Sequence, residues 1–452
     1  MTVPLDSARL RSLRFGKGKL DCMCEPLSQK SDKPGPLSFF PTMSFVTIEG
    51  KEVVMPDPTR FIGLDIHKFY MVAAGMDANQ NETLPPQRVT WERFDAWMER
   101  TLTPRDAVVI EMTTNTWDVY DALLPRVHSV CVVHPPHVKA VVSPQVMTDK
   151  IAARTLAKLL AAKLLVSIWV PPAEVRQLRT LVAEHHKMSV LGAQAKQRLH
   201  AVLHRHRIIP EEGIEIFHPD IRTWWNLLHL SLAEKACMNT DLDTLAFAQA
   251  QKKRIEEELG RWAAQEERIP LLIQIPGVGL LTAITILAAI GDIRRFPDED
   301  HLVGYAGLGA SVHASGESHT TGHITKHGRR DLRRVMVNAA NHAVQDHPFW
   351  KKELARLEPR LGRSRAIVRI ARLLLVAVWH ILKSEVADKH ADVRSVAASL
   401  FAHAYHVKVR NLGGLSAKEW TRRELDRLGI GRELQVIPWG TKKVKLPPSS
   451  LK

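Results

Sequence analysis

Three carboxylates stand where strands or helices are expected to begin or end. Asp65 closes the apolar run at residues 61–65, Glu111 closes the run at 108–111, and Asp149 opens an Ala- and Leu-rich stretch. Acidic groups from separate strands and a helix can converge on a hard divalent cation such as Mg²⁺, leaving positions open for phosphate oxygens and water. Phosphodiester chemistry needs such a site. Taken singly, each residue has a plainer reading, with Asp149 as a helix N-cap and Asp65 as a turn residue at a strand end.

A second set lies later in the chain. Residues 275–279, Ile-Pro-Gly-Val-Gly, form a glycine turn ahead of an apolar helix. Backbone N–H groups around Gly277 and Gly279 can hold a phosphate at such an entry, although a simple helix entry reads equally well. Ser315 sits in the small-residue stretch ASVHASGESHTTGHITKHGRR. A serine in a Gly-flanked loop beside cations has the chemistry to attack phosphorus and conserve bond energy in a phosphoserine link. An ordinary polar loop is the competing reading. Lys326, Arg329, Arg330, Arg333 and Arg334 follow at helical spacing, so several share a face suited to phosphate contact. His200 and His204, and His319, His323 and His327, recur every four residues, but no Cys or carboxylate completes a zinc set at usual spacing.

The elements that must position these groups are readable from the pattern. Residues 61–65 and 70–75 are short apolar runs separated by His67-Lys68, which predicts an antiparallel strand pair. A helix is expected over 90–101, strands over 107–112 and 130–134, and a helix over 149–167. Strands interrupted by helices predict an α/β domain over 58–170. After Pro171-Pro172, a long basic helix over 173–207 and a second over 241–267 predict an antiparallel hairpin or an oligomerising coiled coil across 171–268. A helical C-terminal domain over 269–385 carries Ser315 and the basic segment. Residues 1–57, with the Cys22/Cys24 pair, read as a flexible extension and 386–452 as a polar one. Trp224, Trp225, Trp350 and Trp379 fit a core better than base stacking.

Composition narrows the class. The chain has 452 residues, 45% hydrophobic and 25% charged, which excludes disorder as its main state. Lys and Arg number 63 against 48 Asp and Glu, a net +15 that points to a polyanionic partner. The charge is divided: residues 61–125 carry five basic and ten acidic side chains, whereas residues 323–372 carry thirteen and four. No apolar run reaches the ~20 residues of a membrane span. Four cysteines are too few for a disulfide framework and are expected as reduced thiols in a cytoplasmic protein.

In their order and spacing these motifs resemble the DEDD insertion-sequence transposases, the group that includes the Piv and MooV DNA invertases. The resemblance covers about residues 60–385. It rests on GLDIHK around Asp65, VVIEMT around Glu111, TDKIAARTLAKLL around Asp149, WVPPAEVRQLRTLV, IPGVG, FPDEDHLVGYAGLGASVHASGES and GHITKHGRRDLRRVMVNAA. It implies an N-terminal RuvC-like domain of RNase H type that binds Mg²⁺ through Asp65, Glu111 and Asp149. Ser315 matches the group's nucleophilic serine. The resemblance further implies recombination of DNA, in some members with a structured guide RNA. It also implies homodimers or homotetramers joined by the helical hairpin, with composite sites formed in trans, in the bacterial cytoplasm at the nucleoid.

One position departs from the pattern. The group's fourth acidic residue follows the third by three positions, one helical turn on, and here that position is Ala152. Three readings follow: a transposase using metal and a phosphoserine intermediate, an impaired copy that only binds nucleic acid, and a RuvC-like junction nuclease in which water is the attacking group.

Overall fold

The β-branched runs become strands, and their pairing order carries Asp65 and Glu111 to one end of one sheet. The computed structural model describes residues 45–48, 51–54, 57–141, 148–315, 318–407, 412–439 and 442–451. Cys22 and Cys24, with most of the expected N-terminal extension, lie outside the described residues. The chain divides into two units, residues 1–170 and 171–452.

In the first unit, strands β1 (Phe45–Ile48) and β2 (Lys51–Val54) form a short antiparallel pair. A five-stranded sheet follows, made of β3 (Arg60–Ile66), β4 (Tyr70–Asp77), β5 (Glu82–Thr90), β6 (Asp106–Glu111) and β7 (Ser129–Val133), in the order β5-β4-β3-β6-β7. The pair expected around His67-Lys68 is present, with Asp65 opposite Val72 in an antiparallel ladder. Strands β6 and β7 join in parallel. Such connections need crossovers, supplied by α1 (Phe94–Thr101), with a 3₁₀ turn before it, and α2 (Thr116–Leu123), while α3 (Pro135–Val141) follows the last strand. Helix α4 (Asp149–Ala161) completes the unit.

Side-chain alternation divides the sheet into two faces. Ile62, Leu64, Val108, Ile110 and Val132 form a core with Phe94, Trp97 and Met98 of α1 and Val119 and Leu123 of α2. On the other face Val109 and Val133 pack with Leu156 and Leu159 of α4, and Val72 and Ala74 meet Ala153. Helix α4 stops short of the helix expected to residue 167. Lys163 turns left-handed at φ +55°, and Ile168 donates to the Val132 carbonyl, so this segment returns to the sheet edge.

The second unit opens with α5 (Ala173–Arg205), which pairs with α7 (Leu232–Ala263) beside the short α6 (Arg222–Asn226). Their seam buries Ala195, Leu199 and Leu203 with Trp225, Met238, Leu242 and Leu245. Within this chain the two helices therefore form a hairpin. Helix α7 begins well before residue 241 because Ser231 and Glu234 close a capping box there. Hydrogen bonds from His206, Ser231 and Arg205 hold the Glu234 carboxyl down at about 2.

Helices α8 (Ile269–Ile273), α9 (Leu280–Ile290), α10 (Glu299–Ala306), α11 (Arg330–Asp346), α12 (Pro348–Leu361) and α13 (Arg363–Ser384) share one large core. Two differences from the sequence reading stand out. Between α10 and α11 the chain makes a hairpin of β8 (Ala310–Ser315) and β9 (Ser318–Ile324), so this region is not wholly helical. The C-terminal part adds α14 (Val393–Val407), α15 (Ala417–Arg427) and the pair β10 (Val436–Trp439) and β11 (Lys442–Lys445). Val396, Leu400, Phe401, Trp420, Leu425 and Ile437 join the same core. Its polar surface residues hid this sparse apolar set. No helix among the described residues is long and apolar enough to cross a membrane.

Asp106 is almost fully buried at the start of β6, held by two hydrogen bonds from Arg60 at 2.6 and 2.7 Å and one from the Thr103 backbone. Removing one partner of a buried pair leaves a charge without compensation. Arg60→Ala is expected to destabilise the first unit by about 3 kcal/mol, seen as an earlier thermal transition by circular dichroism.

Candidate metal centre and basic surface

Asp65 reaches its site because strand alternation puts it on the same face as Gly63, the face covered by α4. The approach there is very close. A Cβ built on Gly63 would lie 2.2 Å from the Ala153 carbonyl oxygen and 2.6 Å from the Ala157 nitrogen. This backbone contact fixes α4 on β3 and delivers the start of the helix beside Asp65. Capping falls to Thr148, whose hydroxyl accepts from the Ile151 N–H, and not to Asp149. The Asp149 carboxylate is thereby left for other partners.

Those partners come from the β3–β4 turn. Tyr70 donates its hydroxyl hydrogen to Asp149 Oδ2 at 2.9 Å. His67 Nε2 lies 3.2 Å from Asp65 Oδ2 and 3.5 Å from Asp149 Oδ2, with its ring tilted against Tyr70 at 4.8 Å. The Arg88 guanidinium covers the Tyr70 ring at 3.8 Å. Glu111 lies at the end of β6, one residue beyond the Leu64–Ile110 pair of the parallel ladder, and so beside Asp65.

The electrostatics are those of a site short of positive charge. Burial raises the Asp65 carboxyl above its ordinary range; His67 opposes this and Asp149 adds to it. Burial also raises Glu111, with the Asp65 charge contributing and Lys139 opposing. The hydrogen bond to Asp149 raises the Tyr70 phenol. Among the described residues, donor atoms of Asp65, His67 and Asp149 lie within 4.8 Å of one another. Carboxylates that crowd, with burial and a neighbouring charge raising Asp65 and Glu111, suit a divalent cation, and this donor set fits one. Ala152 lies one turn beyond Asp149 on α4, partly exposed, and offers no donor.

The sequence pattern points to Asp65, Glu111 and Asp149, and the tertiary structure adds His67 and Tyr70 beside them. Position 67 follows Asp65 by two, the spacing that repeats a strand face. That was the available signal.

In the second unit the cations are arranged differently from the single helical row expected. Lys326 and Gly328 have positive φ, +56° and +113°, so the segment turns, and α11 starts only at Arg330. Arg329 is tied to Asp331 in a two-pronged pair, and Arg333 donates to the Ala306 carbonyl at 2.9 Å. Arg334 is partly buried. Lys326 and Arg330 are the exposed members of the five. Gly277, at φ +81°, packs backbone to backbone on α11, where an added Cβ would meet the Ala339 oxygen at 2.1 Å; Gly279 is the N-cap of α9. The turn is therefore shaped by packing. Ser315 ends β8, its backbone paired with Ser318 across the hairpin. The hairpin's neck is clasped: Thr325 N–H donates to Gly309, Arg329 N–H donates to Tyr305, and Gly307 and Gly328 lie too close to His327 and Tyr305 for a side chain.

Gly63→Ala is expected to force α4 off β3, lowering the thermal midpoint and weakening divalent-metal binding together. Overpacking of this kind costs about 1–3 kcal/mol. Isothermal titration with a divalent cation, beside a melting curve, checks both.

Comparison with known proteins places these residues in sequence families. Residues 62–208 match the DEDD transposase profile of the IS110 group, and residues 269–355 match the transposase IS116/IS110/IS902 family. The two matches together take in just over half of the chain. A pilin gene-inverting protein of Moraxella bovis is 25% identical over 72% of this chain and 95% of its own length. A Sinorhizobium fredii protein that bears a transposase name is 24% identical over 75% of this chain and 86% of its own. The transposase for insertion sequence element IS1111A of Coxiella burnetii is 31% identical, over 28% of this chain and 36% of its own.

Proposed function

The chain belongs to the IS110 family of DEDD transposases, and on that premise we propose that it cuts and rejoins DNA through a metal-assisted phosphoserine intermediate. The observation that carries this reading is the convergence of Asp65 and Asp149, from a strand and a distant helix, on a donor cluster within 4.8 Å. Asp65, Glu111 and Asp149 hold a divalent cation, of which Mg²⁺ is the one the sequence reading expects. When bound, that cation neutralises charge on the scissile phosphate. Tyr70 holds Asp149 in place through its 2.9 Å hydrogen bond.

Ser315 is the nucleophile. Its Oγ bonds to phosphorus as a phosphorus–oxygen bond to the sugar breaks, releasing a sugar hydroxyl. Attack by a hydroxyl of another strand then reverses the exchange and frees the serine. Lys326, exposed in the turn before α11, and Arg330, exposed at its start, contact phosphates, with Arg329, Arg333 and Arg334 shaping that surface and the Gly277–Gly279 turn beside α9 offering backbone N–H groups. The DNA partners are the element's ends and its target. A structured guide RNA and a homodimer or homotetramer complete the assembly.

The test is a denaturing gel of protein incubated with element ends, divalent metal and any associated RNA. The parent is expected to give a covalent protein–DNA adduct. Ser315→Ala is expected to give none and to recombine at least about 10³-fold more slowly. An adduct or undiminished recombination in that variant would overturn the serine assignment. Cleavage of DNA without any adduct, by hydrolysis, would favour the junction-nuclease reading.

Ala152 favours a second reading, a copy that binds nucleic acid without recombining it. Its place one turn beyond Asp149 leaves the helix face one carboxylate short. Ala152→Asp discriminates. Under the first reading it raises the recombination rate of a working enzyme, whereas a binding-only protein stays silent with its affinity intact.

A further inference from the structure

The inference rests on the metal-binding reading above and concerns which ligand replaces the carboxylate absent at position 152. We propose that His67 Nε2 is a direct ligand of the divalent ion, so that the site binds Mn²⁺ in preference to Mg²⁺.

The geometry is the main argument. His67 Nε2 stands 3.2 Å from Asp65 Oδ2 and 3.5 Å from Asp149 Oδ2. A charge-assisted N–H···O bond is shorter, at about 2.7–2.9 Å, and one ring hydrogen cannot serve both oxygens well. Neighbouring ligands on an octahedral ion with bonds near 2.1 Å lie about 3.0 Å apart. Both gaps from His67 Nε2 are therefore slightly longer than a strong hydrogen bond and close to the spacing of ligands on a shared ion, and all three donor atoms lie within 4.8 Å of one another.

The elements hold the ring there. His67 is in the turn between β3 and β4, where its N–H donates to the Tyr70 carbonyl at 2.8 Å. Its ring leans on Tyr70, which in turn holds Asp149 and is covered by Arg88. One turn along α4, Ala152 leaves open the side of Asp149 where a carboxylate would stand. An imidazole in place of a carboxylate alters which ion is preferred. Mg²⁺ binds oxygen ligands and keeps several waters, whereas the first-row divalent ions, of which Mn²⁺ is the hardest and weakest-binding, also bind sites of mixed nitrogen and oxygen.

The test uses the full chain and Mn²⁺ as the probe, read by pulsed electron paramagnetic resonance, which detects a nitrogen nucleus bonded to the ion. The parent is expected to show nitrogen modulation and to bind Mn²⁺ at least about ten-fold more tightly than Mg²⁺ in competition. His67→Gln, with an unchanged melting curve, is expected to lose the modulation and to weaken Mn²⁺ at least about ten-fold. Asp65→Asn, which removes the carboxylate's negative charge, is expected to release the ion. Mn²⁺ bound through oxygen alone in the parent, or modulation that persists in His67→Gln, would overturn the His67 assignment while leaving the metal site standing. Failure of the parent to bind either ion would overturn the metal-binding reading itself.

Discussion

The close approach of α4 to β3 at Gly63 is the constraint on which the first unit's site depends. With no side chain at position 63, the Ala153 carbonyl and the Ala157 nitrogen come within the volume that a Cβ would occupy. Two backbones in contact have little freedom to slide, because sliding would open a void or force a clash. The start of α4 is therefore fixed against the end of β3, and Asp149 faces Asp65 as a result. Buried packing of Leu156 and Leu159 against Val109 and Val133 reinforces the same registration. The carboxylates repel one another, and it is this apolar and backbone contact behind them that holds them together.

A comparable constraint governs the second unit. Helix α9 is buried from Ala283 to Ile290, so the orphan carbonyls at its C-terminal end have no access to bulk water. Cations and a phenol supply the missing donors. Arg179 donates to Ala288 and Ala289, Tyr305 also donates to Ala289, Arg295 donates to Ile290, and Arg268 donates to Gly291. The negative end of the helix dipole favours positive charge at this place. Part of the basic excess that reads as a nucleic-acid surface is thus spent on structure, as are Arg329 with Asp331 and Arg333 with the Ala306 carbonyl. Buried Arg422 does the same at the C-terminal end, donating to the carbonyls of Pro447, Gly431 and Leu434.

The β8–β9 hairpin shows how a mounting is made without a large core of its own. Its base is closed by hydrogen bonds between segments 305–309 and 325–329, with Gly307 and Gly328 permitting the approach. Both glycines have positive φ, at +69° and +113°, a conformation that disfavours any side chain. The sequence HGRR, attractive as the start of a phosphate-binding helix, is first the closure of this neck.

Much of this protein is legible from its sequence. Apolar runs ending in Asp65 and Glu111 specify strands that finish at an acidic edge, because residue type and period two are local properties. The ordered motifs identify the transposase family for the same reason. Local periodicity could not place His67 between Asp65 and Asp149, since that depends on α4 packing on β3 across a long stretch of chain. It could not show that Thr148 caps α4 and leaves Asp149 available, nor which arginines face outward. A row of basic residues looks uniform until tertiary packing buries some beside carbonyls that have no other donor. The sequence determined which chemical groups this protein possesses; the tertiary structure decided which of them meet, because close packing and the need to satisfy buried polar groups act between residues far apart in the chain.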